Sequence, residues 1–102
     1  MSKRKKIESL DWQDRLQSLT SGNRGRTAAI AAEGMTLVES KPFENVFYDP
    51  VDKGNDLTIA LDGYMHTVLA PVELYMEEND QGVVITLEVI DQNGKSAYLR
   101  FY

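Results

Sequence analysis

Apolar positions along the chain follow two different periods. Between Leu10 and Leu19 they recur at helical spacing, with Trp12, Leu16 and Leu19 at i, i+4 and i+7 forming one stripe. Ser9 or Asp11 can cap the start of this segment, and Gly22 offers a stop beyond it. So short an apolar stripe does not hold a helix in water alone. The stripe is therefore expected to dock on the rest of the protein, with Trp12 as its anchor.

After Gly25 the period falls to two. Candidate strands are Arg26–Glu33, Met35–Lys41, Glu44–Asp49, Asp56–Leu61, Tyr64–Glu78 with a break near Pro71, Val83–Ile90 and Lys95–Tyr102. Turn formers occupy the joints: Gly34, Lys41-Pro42, the stretch from Asp49-Pro50 to Asn55, Asp62-Gly63, Asn79–Gly82 and Asp91–Gly94. Short consecutive joints favour antiparallel neighbours. The expected fold is α+β and mostly β: one N-terminal helix packed on a curled six- or seven-stranded antiparallel meander, a half-barrel.

Register follows from keeping like faces together. With Asp91–Gly94 as a type I turn and a left-handed Gly94, Val89 faces Ala97, Leu87 faces Leu99 and Ile85 faces Phe101. The other side then pairs Glu88 with Tyr98 and Thr86 with Arg100. A tight Asn93-Gly94 turn would slip the register by one residue and mix the faces. The same parity asks for an even loop at Asn79–Gly82, which sets Met76 opposite Ile85, Leu74 opposite Leu87 and Val72 opposite Val89. The predicted inner face is Val72, Leu74, Met76, Ile85, Leu87, Val89, Ala97, Leu99 and Phe101. Unbroken alternation through Pro71 adds Ala70, Val68, His66 and Tyr64. An Asp62-Gly63 type I′ turn would then pair Leu61 with Tyr64, Ile59 with His66 and Leu57 with Val68.

The string from His66 to Pro71, with Asp56–Leu61 before it and Leu87–Asp91, Gly94 and Leu99-Arg100-Phe101 after it, resembles a small bacterial family of unknown function. The resemblance runs from about Leu10 to Phe101 and includes the acid–Trp pair Asp11-Trp12. It implies an N-terminal helix followed by a β-rich body, with an aromatic after Gly25, where this chain carries Arg26. It implies no activity, cofactor or catalytic residue.

Composition narrows the chemistry. The chain has 102 residues, a single-domain length; residues 1–8 read as a basic flexible arm and 9–102 as one α+β domain. Without cysteine there is no disulfide scaffold, thiolate metal site or thiol catalysis, and one histidine excludes a site needing two imidazoles. The net charge of −5 is uneven. Residues 1–26 hold seven basic against three acidic groups (+4), and residues 27–102 hold four against thirteen (−9). An acidic body repels phosphate backbones, so no strong nucleic-acid signal is read; Lys3–Lys6 could still meet an anion. No secretory or membrane-spanning apolar run is present, and a cytoplasmic location is expected.

Candidate sites are few. The outer face of the last three strands presents Glu73, Tyr75, Glu88, Tyr98 and Arg100, and these are the expected binding residues. Glu73 is predicted opposite Glu88, a costly like-charge pair, with Arg100 placed diagonally to neutralise it. Tyrosine and arginine favour interfaces, whereas paired carboxylates favour acid–base work. His66 reads as a core histidine bonded to backbone, Thr58 or Tyr64. The acidic loop Asp49–Asp56 fails the EF-hand pattern: Gly54 fits position six, but Val51, Lys53 and Ala60 stand at ligand positions. Gly22–Arg26 follows a helix instead of preceding one, the wrong side for a phosphate cradle. No catalytic residue, metal or cofactor is assigned.

Three function classes follow, in order. The first is a non-enzymatic interaction or accessory protein that binds a protein partner through the tyrosine-rich face or an edge strand. A weak homodimer through the edge of Lys95–Tyr102 belongs to it, unless Arg26–Glu33 closes that edge. The second is an anion-directed binder of nucleic acid or lipid surface through the basic arm. The third is a small hydrolase or lyase using His66 and carboxylates.

Overall fold

A computed structural model describes residues 3–102. A 3₁₀ turn at Ser9–Asp11 leads into helix α1, Trp12–Asn23. The eight strands are β1 (Lys3–Lys6), β2 (Thr27–Ala32), β3 (Met35–Asp49), β4 (Asp56–Leu61), β5 (Tyr64–Leu69), β6 (Pro71–Glu78), β7 (Val84–Asp91) and β8 (Ser96–Phe101). They form one antiparallel sheet in the order β1-β6-β7-β8-β2-β3-β4-β5, which is not closed into a barrel. Two meanders, β2–β5 and β6–β8, are thus joined along β2 and β8.

Strand β3 carries the curl. Its first part, to Pro42, pairs with β2, and its second part, from Phe43, pairs with β4. Ser40, with φ +57°, lies before Lys41-Pro42, where the chain passes from one partner to the other. The two expected strands Met35–Lys41 and Glu44–Asp49 are therefore one bent strand. A single residue, Ala70, turns β5 into β6; its φ of +51° is held by bonds from its own N–H to Asn55 O (2.9 Å) and from Gln92 N–H to its carbonyl (3.0 Å).

The face of the sheet under the helix buries Leu57, Ile59, Leu61, Leu74, Met76, Leu87, Val89 and Leu99, with Phe43 packed edge-on against Phe101 at 5.1 Å. Helix α1 lays Trp12, Leu16 and Leu19 on this core, as its stripe requires. Trp12 meets Tyr48 edge-on at 5.0 Å and donates Nε1–H to Ile7 O at 2.9 Å. The helix runs through Gly22 and ends at Asn23, before Gly25 with φ +85°. Arg26, standing where an aromatic was expected, lies over the Phe101 ring at 4.6 Å and donates to Val84 O at 2.8 Å.

The β7–β8 register is as the parity argument predicts, with Leu87 opposite Leu99 and Glu88 opposite Tyr98. At β6–β7 the partners differ: Leu74 faces Val89, Met76 faces Leu87, and Tyr75 faces Glu88. The Asn79–Gly82 joint is not an even loop. It repeats the bulged turn of Asp91–Gly94, with Asn79 N–H bonded to Val83 O at 2.9 Å and Gly82 at φ +79°. Parity is restored by an irregularity between Glu78↔Val84 and Glu77↔Thr86, which leaves Ile85 unpaired, half-buried and outside the core. A second irregularity between Pro71 and Glu73 exposes Val72, which is also no core residue.

Two further expectations are corrected. Lys95–Tyr102 offers no open edge: β8 is flanked by β7 and β2 along its length, so Arg26–Glu33 does close against it. Of the basic arm, Met1 and Ser2 lie outside the described residues, and Lys3–Lys6 form β1. The arm is a strand because Ile7 behind it is buried, its N–H donating to Leu74 O at 2.8 Å, and because the strand it pairs with is acidic.

Candidate functional site

Antiparallel pairing across three strands sets Tyr75, Glu88 and Tyr98 in one row on the outer face. Glu88 is only 8% exposed although it points away from the core. It is held from both sides. Tyr98 Oη donates to one carboxylate oxygen at 3.0 Å, and the Arg4 guanidinium forms an ion pair with the other. Arg4 also lies over the Tyr75 ring, 3.8 Å from its centroid.

The register places Glu73 opposite Ile90 and not opposite Glu88, so the expected like-charge pair is absent. Glu73 accepts the Tyr75 hydroxyl and lies 3.9 Å from Lys6 Nζ. Arg100 is exposed and forms no ion pair among the described residues; Arg4 has the neutralising role expected of it. Of the five predicted site residues, the structure links Glu73 with Tyr75 and Glu88 with Tyr98, and Arg100 stands apart. Sequence reasoning missed Arg4, for which the only signal was a basic run ahead of the buried Ile7.

Electrostatics keep the two phenols protonated. The hydrogen bond to Glu73, with burial and the same carboxylate's charge, raises the Tyr75 pKa. The hydrogen bond to Glu88 does the same for Tyr98. Glu88 in turn raises the Arg4 pKa, mainly through their hydrogen bond. Both tyrosines are thus donors, and the row accepts a cation.

His66 pairs with Ile59 as predicted but is half-buried, at a cleft of about 340 Å³ that Asp91, Lys95 and Ala97 also line. Its ring bonds neither Thr58 nor Tyr64; Thr58 is bonded to Thr67 at 3.1 Å. Burial lowers its pKa. The acids at this cleft have other partners: Glu33 lies 3.5 Å from Lys95 Nζ, and Asp91 Oδ1 accepts the amides of Asn93 and Lys95. They do not orient an imidazole for proton transfer. The acidic loop closes as a 3₁₀ turn, Val51–Lys53, and no metal-holding cluster of His, Asp or Glu occurs among the described residues.

Among the described residues, stretches of unpaired strand are treated in different ways: the side of Met35–Lys41 away from β2 carries Glu39 and Lys41. The β1 edge carries Lys3, Arg4, Lys5 and Lys6. The free side of β3 beyond Phe43 is covered by α1: Thr20 Oγ1 both donates to Val46 O (3.2 Å) and accepts from Val46 N–H (3.1 Å), and Arg24 reaches Glu44 O. The β5 edge has none of these devices. Its sequence, Tyr64-Met65-His66-Thr67-Val68-Leu69, contains no Asp, Glu, Lys, Arg or Pro. Closing pairs Leu61↔Tyr64 and Asn55↔Ala70 point the backbone groups of Met65, Thr67 and Leu69 away from β4. Met65 and Leu69 are 64% and 70% exposed, Phe47 lies in the row of Thr58 and Thr67 between them, and Asp56 and Asp49 share the row of Leu69.

No helix among the described residues is long and apolar enough to cross a membrane. A family model described as "Family of unknown function (DUF5335)" matches residues 3–102. No curated protein and no solved structure matches the chain.

Proposed function

The chain belongs to this family of unknown function, and from its geometry we propose that it is a non-enzymatic interaction protein that takes an extended segment of a protein partner along β5. The observation that carries this reading is the difference between the unpaired stretches: β1 is charged, β3 beyond Phe43 is covered by a helix, Met35–Lys41 carries Glu39 and Lys41, and β5 has none of these. An added strand would bond the outward N–H and C=O groups of Met65, Thr67 and Leu69. Its side chains on the outer face would lie beside Met65 and Leu69, so a segment with apolar residues at alternate positions fits best. The tyrosine-rich face supports the reading less, because Arg4 already covers Tyr75 and neutralises Glu88.

The test is amide hydrogen exchange at Met65, Thr67 and Leu69 during titration with a capped peptide of alternating Val and Thr. Protection of these amides is expected, and it should disappear in a Met65→Lys/Leu69→Lys double variant. Fast exchange throughout, or protection confined to another strand, would count against β5 as the site.

A further inference from the structure

The Tyr75–Glu88–Tyr98 row has the properties of a binding site independent of the β5 edge. Its three members come from β6, β7 and β8, so pairing within that meander assembles it without help from β1. A carboxylate this buried needs a cation and hydrogen-bond donors; Tyr98 supplies one donor, and the remaining oxygen points to where Arg4 sits. Beside that position stands the face of Tyr75, whose hydroxyl is anchored on Glu73.

We propose that this row is a guanidinium socket, that its ligand is an arginine side chain presented on an extended strand, and that Arg4 of β1 fills it in cis. The geometry selects guanidinium over ammonium. A planar, weakly hydrated cation can lie flat on an aromatic ring while its N–H edge meets a carboxylate, and Arg4 does both at once. An ammonium is compact and strongly hydrated, and it satisfies one contact at the expense of the other. Lys6, two residues along the same strand, shows the contrast: its Nζ lies 3.9 Å from Glu73, a loose surface pair.

Vacating the socket in the full-length protein tests this. In Arg4→Ala, N-methylguanidinium chloride at low millimolar concentration is expected to raise the melting temperature and to shift the ring resonances of Tyr75 and Tyr98. It should bind about tenfold more tightly than methylammonium chloride at equal ionic strength. Adding Glu88→Gln to Arg4→Ala should abolish both effects. Equal rescue by methylammonium, rescue that survives Glu88→Gln, or no response of either tyrosine ring would each overturn the socket. Should Arg4→Ala fold poorly, Arg4→Lys reads the same point: full wild-type stability with a lysine there would also overturn it.

Discussion

Asn79 and Asp91 stand at the same position in two successive hairpins and make the same bonds. Asn79 Oδ1 accepts the amides of Gln81 (2.9 Å) and Val83 (3.1 Å), and Asp91 Oδ1 accepts those of Asn93 (2.8 Å) and Lys95 (3.0 Å). Each turn ends in a glycine near φ +80°, Gly82 or Gly94, which a side chain would strain. Replacing either side chain with alanine removes both bonds from its turn. Asn79→Ala and Asp91→Ala are each expected to cost about 1–3 kcal/mol in urea unfolding, at roughly 0.5–1.5 kcal/mol per hydrogen bond. Asn79→Asp keeps the acceptor and should be close to neutral.

This repeated turn also shows where the sequence was legible. The Asp-x-x-Gly and Asn-x-x-Gly patterns are both visible in it, but reading both as the same bulged turn would set Met76 opposite Thr86, and only the further irregularity at Ile85 brings Met76 opposite Leu87. Face assignment survived because the core demands it: Leu74, Met76, Leu87, Val89, Ala97, Leu99 and Phe101 are buried as their alternation predicts. The compensating irregularity at Ile85 left no local mark, since Val83, Val84 and Ile85 are all apolar. The β1 strand was hidden for another reason. Its stability comes from backbone pairing and from acids 67 and 84 residues later in the chain, Glu73 and Glu88, and neither produces an apolar period. The row of Tyr75, Glu88 and Tyr98 was visible as composition, but the hairpin error placed Glu73 where Tyr75 stands.

The same irregularity separates two neighbouring aliphatic residues by energy. Leu87 is fully buried between Met76 and Leu99, so Leu87→Ala should cost about 2–5 kcal/mol. Ile85 is unpaired and half-buried, and Ile85→Ala should cost about 1 kcal/mol or less. Chemical denaturation of the two variants checks this. Equal losses would restore Ile85 to the inner face.

His66 adds a pH dependence with a definite sign. Burial favours its neutral form, so its folded pKa lies below the ordinary 6.5. Between the two values the unfolded chain binds more protons than the folded one, and stability must fall as pH drops from about 6.5 toward the lowered value. Acid groups also titrate at the lower end, so the comparison is with His66→Gln. The wild type should lose more stability than this variant between about pH 7 and pH 5, and thermal melts across that range measure the difference.

The pairing of Thr20 with Val46 carries the last prediction. Strand β3 loses its β2 neighbour after Pro42, so the Val46 N–H and C=O on that side would face the helix without a strand partner. Thr20, itself buried, supplies one hydroxyl that accepts from the N–H and donates to the carbonyl. Thr20→Val keeps the shape but leaves both backbone groups buried and unbonded, at about 1–3 kcal/mol for each such group. A loss of about 2–6 kcal/mol is therefore expected, with Thr20→Ser recovering most of it. The backbone should report the same event: the Val46 amide should exchange faster in Thr20→Val than in Thr20→Ser, while Ile59 on β4 stays protected. If Val46 exchange is unchanged, the helix holds β3 by apolar packing alone, and the hydroxyl does not replace the missing strand.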